Sequence, residues 1–67
     1  MESFEELITR LPAEMLMKIE QYMFEKFKMP RHRNIAKKRE TIINTAMNLD
    51  NQDYDRLNDY IDGLLGQ

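Results

Sequence analysis

Few side chains in this sequence have a type and spacing suited to chemistry. There is one histidine, His32, one serine, Ser3, and no cysteine. Thiolate nucleophiles and thiolate metal sites are therefore impossible. A lone histidine cannot furnish a multi-histidine zinc site within one chain. His32 lies in the basic run Met29-Pro30-Arg31-His32-Arg33, with no acid close in sequence to orient its ring. Ser3 stands three residues before Glu6. That is the spacing of a capping box, in which each side chain bonds the other's backbone N–H, and it accounts for the hydroxyl.

Asp50, Asp53 and Asp55 suggest a calcium loop, but the spacing fails. Such a loop needs oxygen ligands at alternating positions, a glycine at the sixth and an acid at the twelfth. Counted from Asp50, those places hold Gln52, Tyr54, Asp55 and Ile61. Helix capping and a solvated face explain the aspartates better. No Gly-rich phosphate loop, H-E-x-x-H or G-x-S-x-G pattern is found. A chain of 67 residues also struggles to enclose a water-excluding pocket of ~300–1,000 Å3. The expectation is a non-enzymatic protein with no cofactor, no metal and no small-molecule substrate.

The elements that position these residues read as helices, with no strand-like alternation. Ser3 opens a short first helix, about residues 3–10, with Phe4, Leu7, Ile8 and Leu11 on one face. Pro12 ends it and starts a second, about 12–28, whose inner stripe is Met15, Leu16, Ile19, Tyr22, Met23 and Phe27. The residue before a proline resists helical geometry, so Pro30 stops the second helix near Lys28. Asn34 caps a third, about 34–48, with Ile35, Ala36, Ile42, Ile43, Ala46, Met47 and Leu49 as its apolar face. Arg39 projects into that face, with two outcomes open: its stem covers the core and its head reaches water, or it pairs with a carboxylate. Asp50 or Asn51 caps a fourth, about 51–65, burying Tyr54, Leu57, Ile61, Leu64 and Leu65. The fold class is therefore all-α: a single domain, residues 1–67, built as a small bundle of three main helices plus a short N-terminal one. A chain this short buries only about 60% of its unfolded surface and commonly needs reinforcement. Without disulfides, oligomerisation is the remaining route, which makes a homodimer an open expectation.

The net charge of −2 hides segregation. Residues 1–25 carry net −4, residues 26–49 net +6, and residues 50–67 net −4. Three readings stay open. The basic middle is neutralised by the acidic helices within the fold, or it meets an acidic protein partner. Alternatively, Lys26, Lys28, Arg31, Arg33, Lys37 and Lys38 contact nucleic-acid phosphates. Against the last stands a pI near 5.3, since nucleic-acid binders are usually basic.

Methionine is abundant, six in 67 residues, and Met15, Met17, Met23 and Met29 lie in or beside the second helix. Met17 and Phe24 fall outside the inner stripe, seven residues apart, with Glu20 between the two apolar lines. Burying both at an interface is worth roughly 3–6 kcal/mol at ~1.5–3 per side chain. They are the expected protein-contact residues, with the outward row Asp55, Asp59 and Asp62 as a charged complement.

Two local resemblances are visible. Leu11-Pro12-Ala13-Glu14-Met15-Leu16-Met17-Lys18-Ile19, with Tyr22 and Met23, resembles the opening of an F-box, a family that docks onto a ubiquitin-ligase adaptor. Downstream, the chain has no Trp and runs basic where that family has a mixed helix. Lys38-Arg39-Glu40-Thr41-Ile42-Ile43-Asn44-Thr45-Ala46 is similar to the first helix of TetR-type repressors. There, Asp50-Asn51-Gln52-Asp53 replaces the glycine-containing turn and an acidic helix follows, which phosphate walls repel. Neither family's function is carried over.

No apolar run approaches the ~20 residues that span a bilayer. The acidic start, Met1 to Glu6, lacks the basic opening of a secretory signal. The expectation is a cytoplasmic protein, in the host cytoplasm if viral. Its leading function is that of a small regulator or adaptor on a larger protein partner. A nucleic-acid-binding or transcription-related module using residues 26–39, and a structural subunit of an assembly, are the alternatives.

Overall fold

A computed structural model describes residues 1–66 and contains four helices and, among the described residues, no strand. They are α1 (Phe4–Arg10), α2 (Ala13–Phe27), α3 (Ile35–Met47) and α4 (Asn51–Leu65). The fold is an all-α bundle. Its radius of gyration, 10.8 Å, equals the roughly 11 Å expected of a compact chain of this length.

Local chemistry sets each boundary. At α1 the capping box is complete: Glu6 N–H donates to Ser3 Oγ, and Ser3 N–H donates to the Glu6 carboxylate. Pro12 sits one place earlier than expected, as the N-cap of α2 rather than its first helical residue. Asn34 accepts from Lys37 N–H at the start of α3, and Asp50 accepts from Asp53 N–H at the start of α4. These caps satisfy N–H groups that the helix cannot.

The end of α2 carries a feature beyond the effect of Pro30. Lys28 adopts the left-handed conformation, φ 59°, and its N–H bonds the Phe24 carbonyl while Met29 N–H reaches back to Met23. The Lys28-to-Phe24 bond is the αL closure, whose left-handed position is normally filled by glycine. The turn drives Met29 into the core, where it is 2% exposed. A left-handed residue with a Cβ is strained by ~1–2 kcal/mol, and glycine's extra unfolded freedom offsets ~0.5–1 of that. Lys28→Gly should therefore raise the melting temperature by several degrees in thermal circular dichroism. A lowered melting point would show that the lysine stem contributes packing that outweighs the strain.

The core is Ile8 and Leu11 from the first segment, Leu16, Ile19 and Met23 from α2, Met29, Ile42 and Ala46 from the middle, and Leu57 and Ile61 from α4. Helix α3 packs against both α1 and α2. Aromatic rings fasten α4: Tyr22 and Tyr60 stack at 4.2 Å, and Phe4 meets Tyr54 at 5.7 Å. The Tyr60 hydroxyl also donates to the Lys18 carbonyl, 3.3 Å. Met15, Tyr22, Phe27, Tyr54 and Leu64 are partly buried against this core, as their stripes require.

The expected face of α3 needs correction. Ala36 is exposed and Met47 is 75% exposed. The buried line of α3 is instead Lys38, Ile42 and Ala46, spaced four apart on one side of the helix. At the end of α4, Leu65 is 38% exposed rather than buried.

Candidate functional site

The site is built around a charge that the fold hides. Glu20, on α2, is fully buried, and Lys38, on α3, is 7% exposed. Lys38 Nζ lies 2.5 Å from Glu20 Oε1. The other carboxylate oxygen accepts from the His32 backbone N–H at 2.9 Å, and the Lys38 ammonium also donates to the His32 carbonyl. Arg31 Nε adds a weaker contact to Glu20 Oε1 at 3.7 Å. One buried carboxylate thus joins α2, α3 and the loop between them.

Electrostatics follow from this geometry. Burial by itself pushes the Glu20 carboxyl up. Hydrogen bonds from Lys38 and the His32 N–H, with the charges of Lys38 and Arg31, outweigh that penalty and hold it below its ordinary value. Glu20 therefore stays ionised, and the pair is internally neutral.

Lys38 was expected at the surface as a contact for phosphates or an acidic partner. The structure buries it as the counter-ion of Glu20, because its stripe on α3 faces α2. Lys37 is exposed and pairs with its neighbour Glu40 at 3.5 Å. Arg39 follows neither expected course. Its Nη2 donates to the Leu11 carbonyl at 3.0 Å, while its Nε is buried without a partner. It thereby satisfies the open C-terminal carbonyl of α1 and ties α3 to it. Among the described residues, Glu20 is the one carboxylate of the acidic segments that forms an ion pair with the basic middle. Among the described residues, Lys26, Lys28 and Arg33 make no salt bridge.

Over this buried network lies an open apolar surface. Met17 is 52% exposed and Phe24 46% exposed, although Leu16, Ile19 and Met23 beside them are fully buried. The Arg31 guanidinium covers the Phe24 ring at 5.7 Å from its centroid, within cation–π range. Met17 and Arg31 separate two shallow hollows. One, about 510 Å3, is lined by Met17, Arg31, His32, Arg33 and Ile35, with the Glu20–Lys38 pair at its wall. The other, about 320 Å3, is lined by Met17, Lys18, Gln21, Arg31 and Tyr60.

Of the residues singled out in the sequence, Met17, Arg31, Arg33 and the buried Lys38 line the hollows, and Phe24 joins them only through Arg31. Lys26, Lys28 and the exposed row Asp55, Asp59 and Asp62 do not line either hollow. Asp50 caps α4 and Asp53 lies 3.7 Å from Arg56, which gives two of the three suspected calcium ligands ordinary structural roles. Sequence reasoning missed Glu20, Lys18, Ile35 and Tyr60.

No family model, curated protein or solved structure matches the chain. Among the described residues, no helix is long and apolar enough to cross a membrane. The geometry of this surface is what bears on function.

Proposed function

We propose that this chain is a small non-enzymatic binding module, a cytoplasmic adaptor or regulator that occupies a surface of a larger protein through the outer face of α2. The observation that carries this reading is the half-exposure of Met17 and Phe24 beside a core already closed by Leu16, Ile19 and Met23. Large apolar side chains left in water next to concave surface, with cations at the edge, suit an interface with an apolar centre and a polar rim. Methionine, flexible and polarisable, adapts to such contacts.

The test is the double variant Met17→Glu with Phe24→Glu. Both positions face water, so the far-ultraviolet circular dichroism spectrum should stay helical, with stability changed by no more than about 1 kcal/mol at ~0.5 per exposed site. Association through this face should fall by at least ten-fold, because two charges replace two apolar anchors. Unfolding of the double variant would place both side chains in the core of the solution structure and end the reading.

A further inference from the structure

We propose that the occupant of this face is an amphipathic helix of another protein that carries carboxylates along its flanks. The inference rests on the binding role assigned to Met17 and Phe24. Charge complementarity names the partner. The two hollows that meet at Met17 are edged by Lys18, Arg31 and Arg33. The single carboxylate at their walls, Glu20, is taken up by Lys38. The hollows therefore carry a cationic border along Met17 and Ile35, with Phe24 beneath Arg31; the exposed Glu14 and Glu25 of α2 line neither hollow, although Glu25 accepts from Gln21 at the second.

Spacing favours a helix as the guest. Met17 and Phe24 are seven residues apart on one helix, about 10.5 Å along its axis. A partner helix lying along α2 presents anchors at i, i+3 or i+4, and i+7 over that same length. Acidic residues flanking those anchors then meet Lys18 on one side and Arg31 and Arg33 on the other.

A second copy is disfavoured as the occupant. Docking this face on itself would bring two sets of Lys18, Arg31 and Arg33 together, and like charges across an interface are repulsive. The acidic row on α4 substitutes poorly, because Leu57 and Ile61 are buried at home and only Leu65, at the end of the helix, leaves a large aliphatic side chain exposed there. Single-stranded nucleic acid fits less well, since the aromatic ring at the site, Phe24, already has Arg31 over its face.

The experiment uses the full chain labelled with 13C at the methionine methyls, followed by NMR. Three probes are titrated: a peptide of about 18 residues with Leu at helical spacing and Glu on its flanks, the same peptide with Lys in place of Glu, and a single-stranded oligonucleotide. Met17 reports on the site. Met47, 75% exposed and away from both hollows, reports on indiscriminate adhesion. The acidic peptide should shift the Met17 methyl and leave that of Met47 unmoved. It should bind about ten-fold more tightly than the Lys version, and the gap should narrow as salt is raised.

Lys18→Glu with Arg33→Glu should reverse the preference between the peptides. Neither residue touches Glu20, so the buried pair is preserved. Equal binding of both peptides at Met17 would overturn the acidic partner while leaving the apolar binding face intact. No shift at Met17, or equal shifts at Met17 and Met47, would overturn the face itself. Oligonucleotide binding tighter than that of the acidic peptide at the same salt would assign the cations to phosphates instead.

Discussion

Replacing Glu20 with alanine should cost about 3–5 kcal/mol, because it strands the Lys38 ammonium in an environment that is 7% exposed. A domain of this size holds only about 3–10 kcal/mol in total, at ~0.05–0.15 per residue. The variant should therefore be largely unfolded at room temperature, or melt at least ~12 °C lower. The loss is not the intrinsic worth of the pair. Replacing both partners with apolar residues of similar volume removes the stranded charge, and such exchanges are often neutral or stabilising. Glu20→Leu with Lys38→Met should thus recover most of what Glu20→Ala loses. The His32 N–H and carbonyl, left by both partners, lie at a partly buried residue, so the recovery falls short by the cost of whichever group finds no water. Equilibrium denaturation of the single and double variants gives the coupling directly. A Glu20→Ala protein within 1 kcal/mol of the parent would mean the carboxylate is hydrated in solution.

The same pair makes stability depend on acid. The folded-state pKa of Glu20 lies below its ordinary value, with burial opposing and Lys38, His32 and Arg31 prevailing. The unfolded chain therefore takes up the proton first as pH falls. The contribution of Glu20 is fully present above about pH 4.3 and is lost as pH drops through the folded-state value. Glu20→Leu with Lys38→Met should show a shallower fall in stability across that acidic window than the parent.

The helix ends were legible because capping is local. Ser3 with Glu6, Asn34, and Asp50 each act within three residues of themselves, and the sequence displays both members of each contact. The buried pair was not legible in that way, because 18 residues separate Glu20 from Lys38 and only the packing of α2 on α3 joins them. Glu and Lys are almost never fully buried unless paired, so treating each as a surface residue follows the general rule. A signal did exist. Glu20 lies between the two apolar lines of α2, and Lys38 precedes Ile42 by four and Ala46 by eight on the inner line of α3. Two opposite charges, each inside an apolar stripe, are the mark of a buried pair. Arg39 stayed ambiguous for a related reason. Its partner is a backbone carbonyl at the end of α1, and no side-chain pattern advertises that acceptor. The apolar part of the site could be read because Met17 and Phe24 fall off a stripe that is complete without them. Its cationic edge could be read only in part, since the position of Lys18 relative to Arg31 depends on where the 28–34 loop returns.

The division of α2 into an inner and an outer face leads to the second large effect. Ile19 is fully buried and Met17, two residues earlier, is 52% exposed. Ile19→Ala removes core methylenes and leaves a cavity that neighbouring rigid packing cannot fill, at a cost of about 2–5 kcal/mol. Its melting temperature should fall by ~8 °C or more. Met17→Ala creates no enclosed cavity and should stay within about 0.5 kcal/mol of the parent. The two variants should exchange order in binding. Fully folded Met17→Ala protein should bind the acidic amphipathic peptide several-fold more weakly, since a partner helix loses a central apolar contact. Folded Ile19→Ala protein, studied well below its melting point, should bind nearly as the parent does, because Ile19 never reaches the surface. Measuring stability and binding on both variants therefore separates the residues that hold the helix in place from those that meet a partner. Equal loss of binding in the two would mean that core and contact face are one cooperative unit, and that the outer side chains of α2 act by supporting the fold.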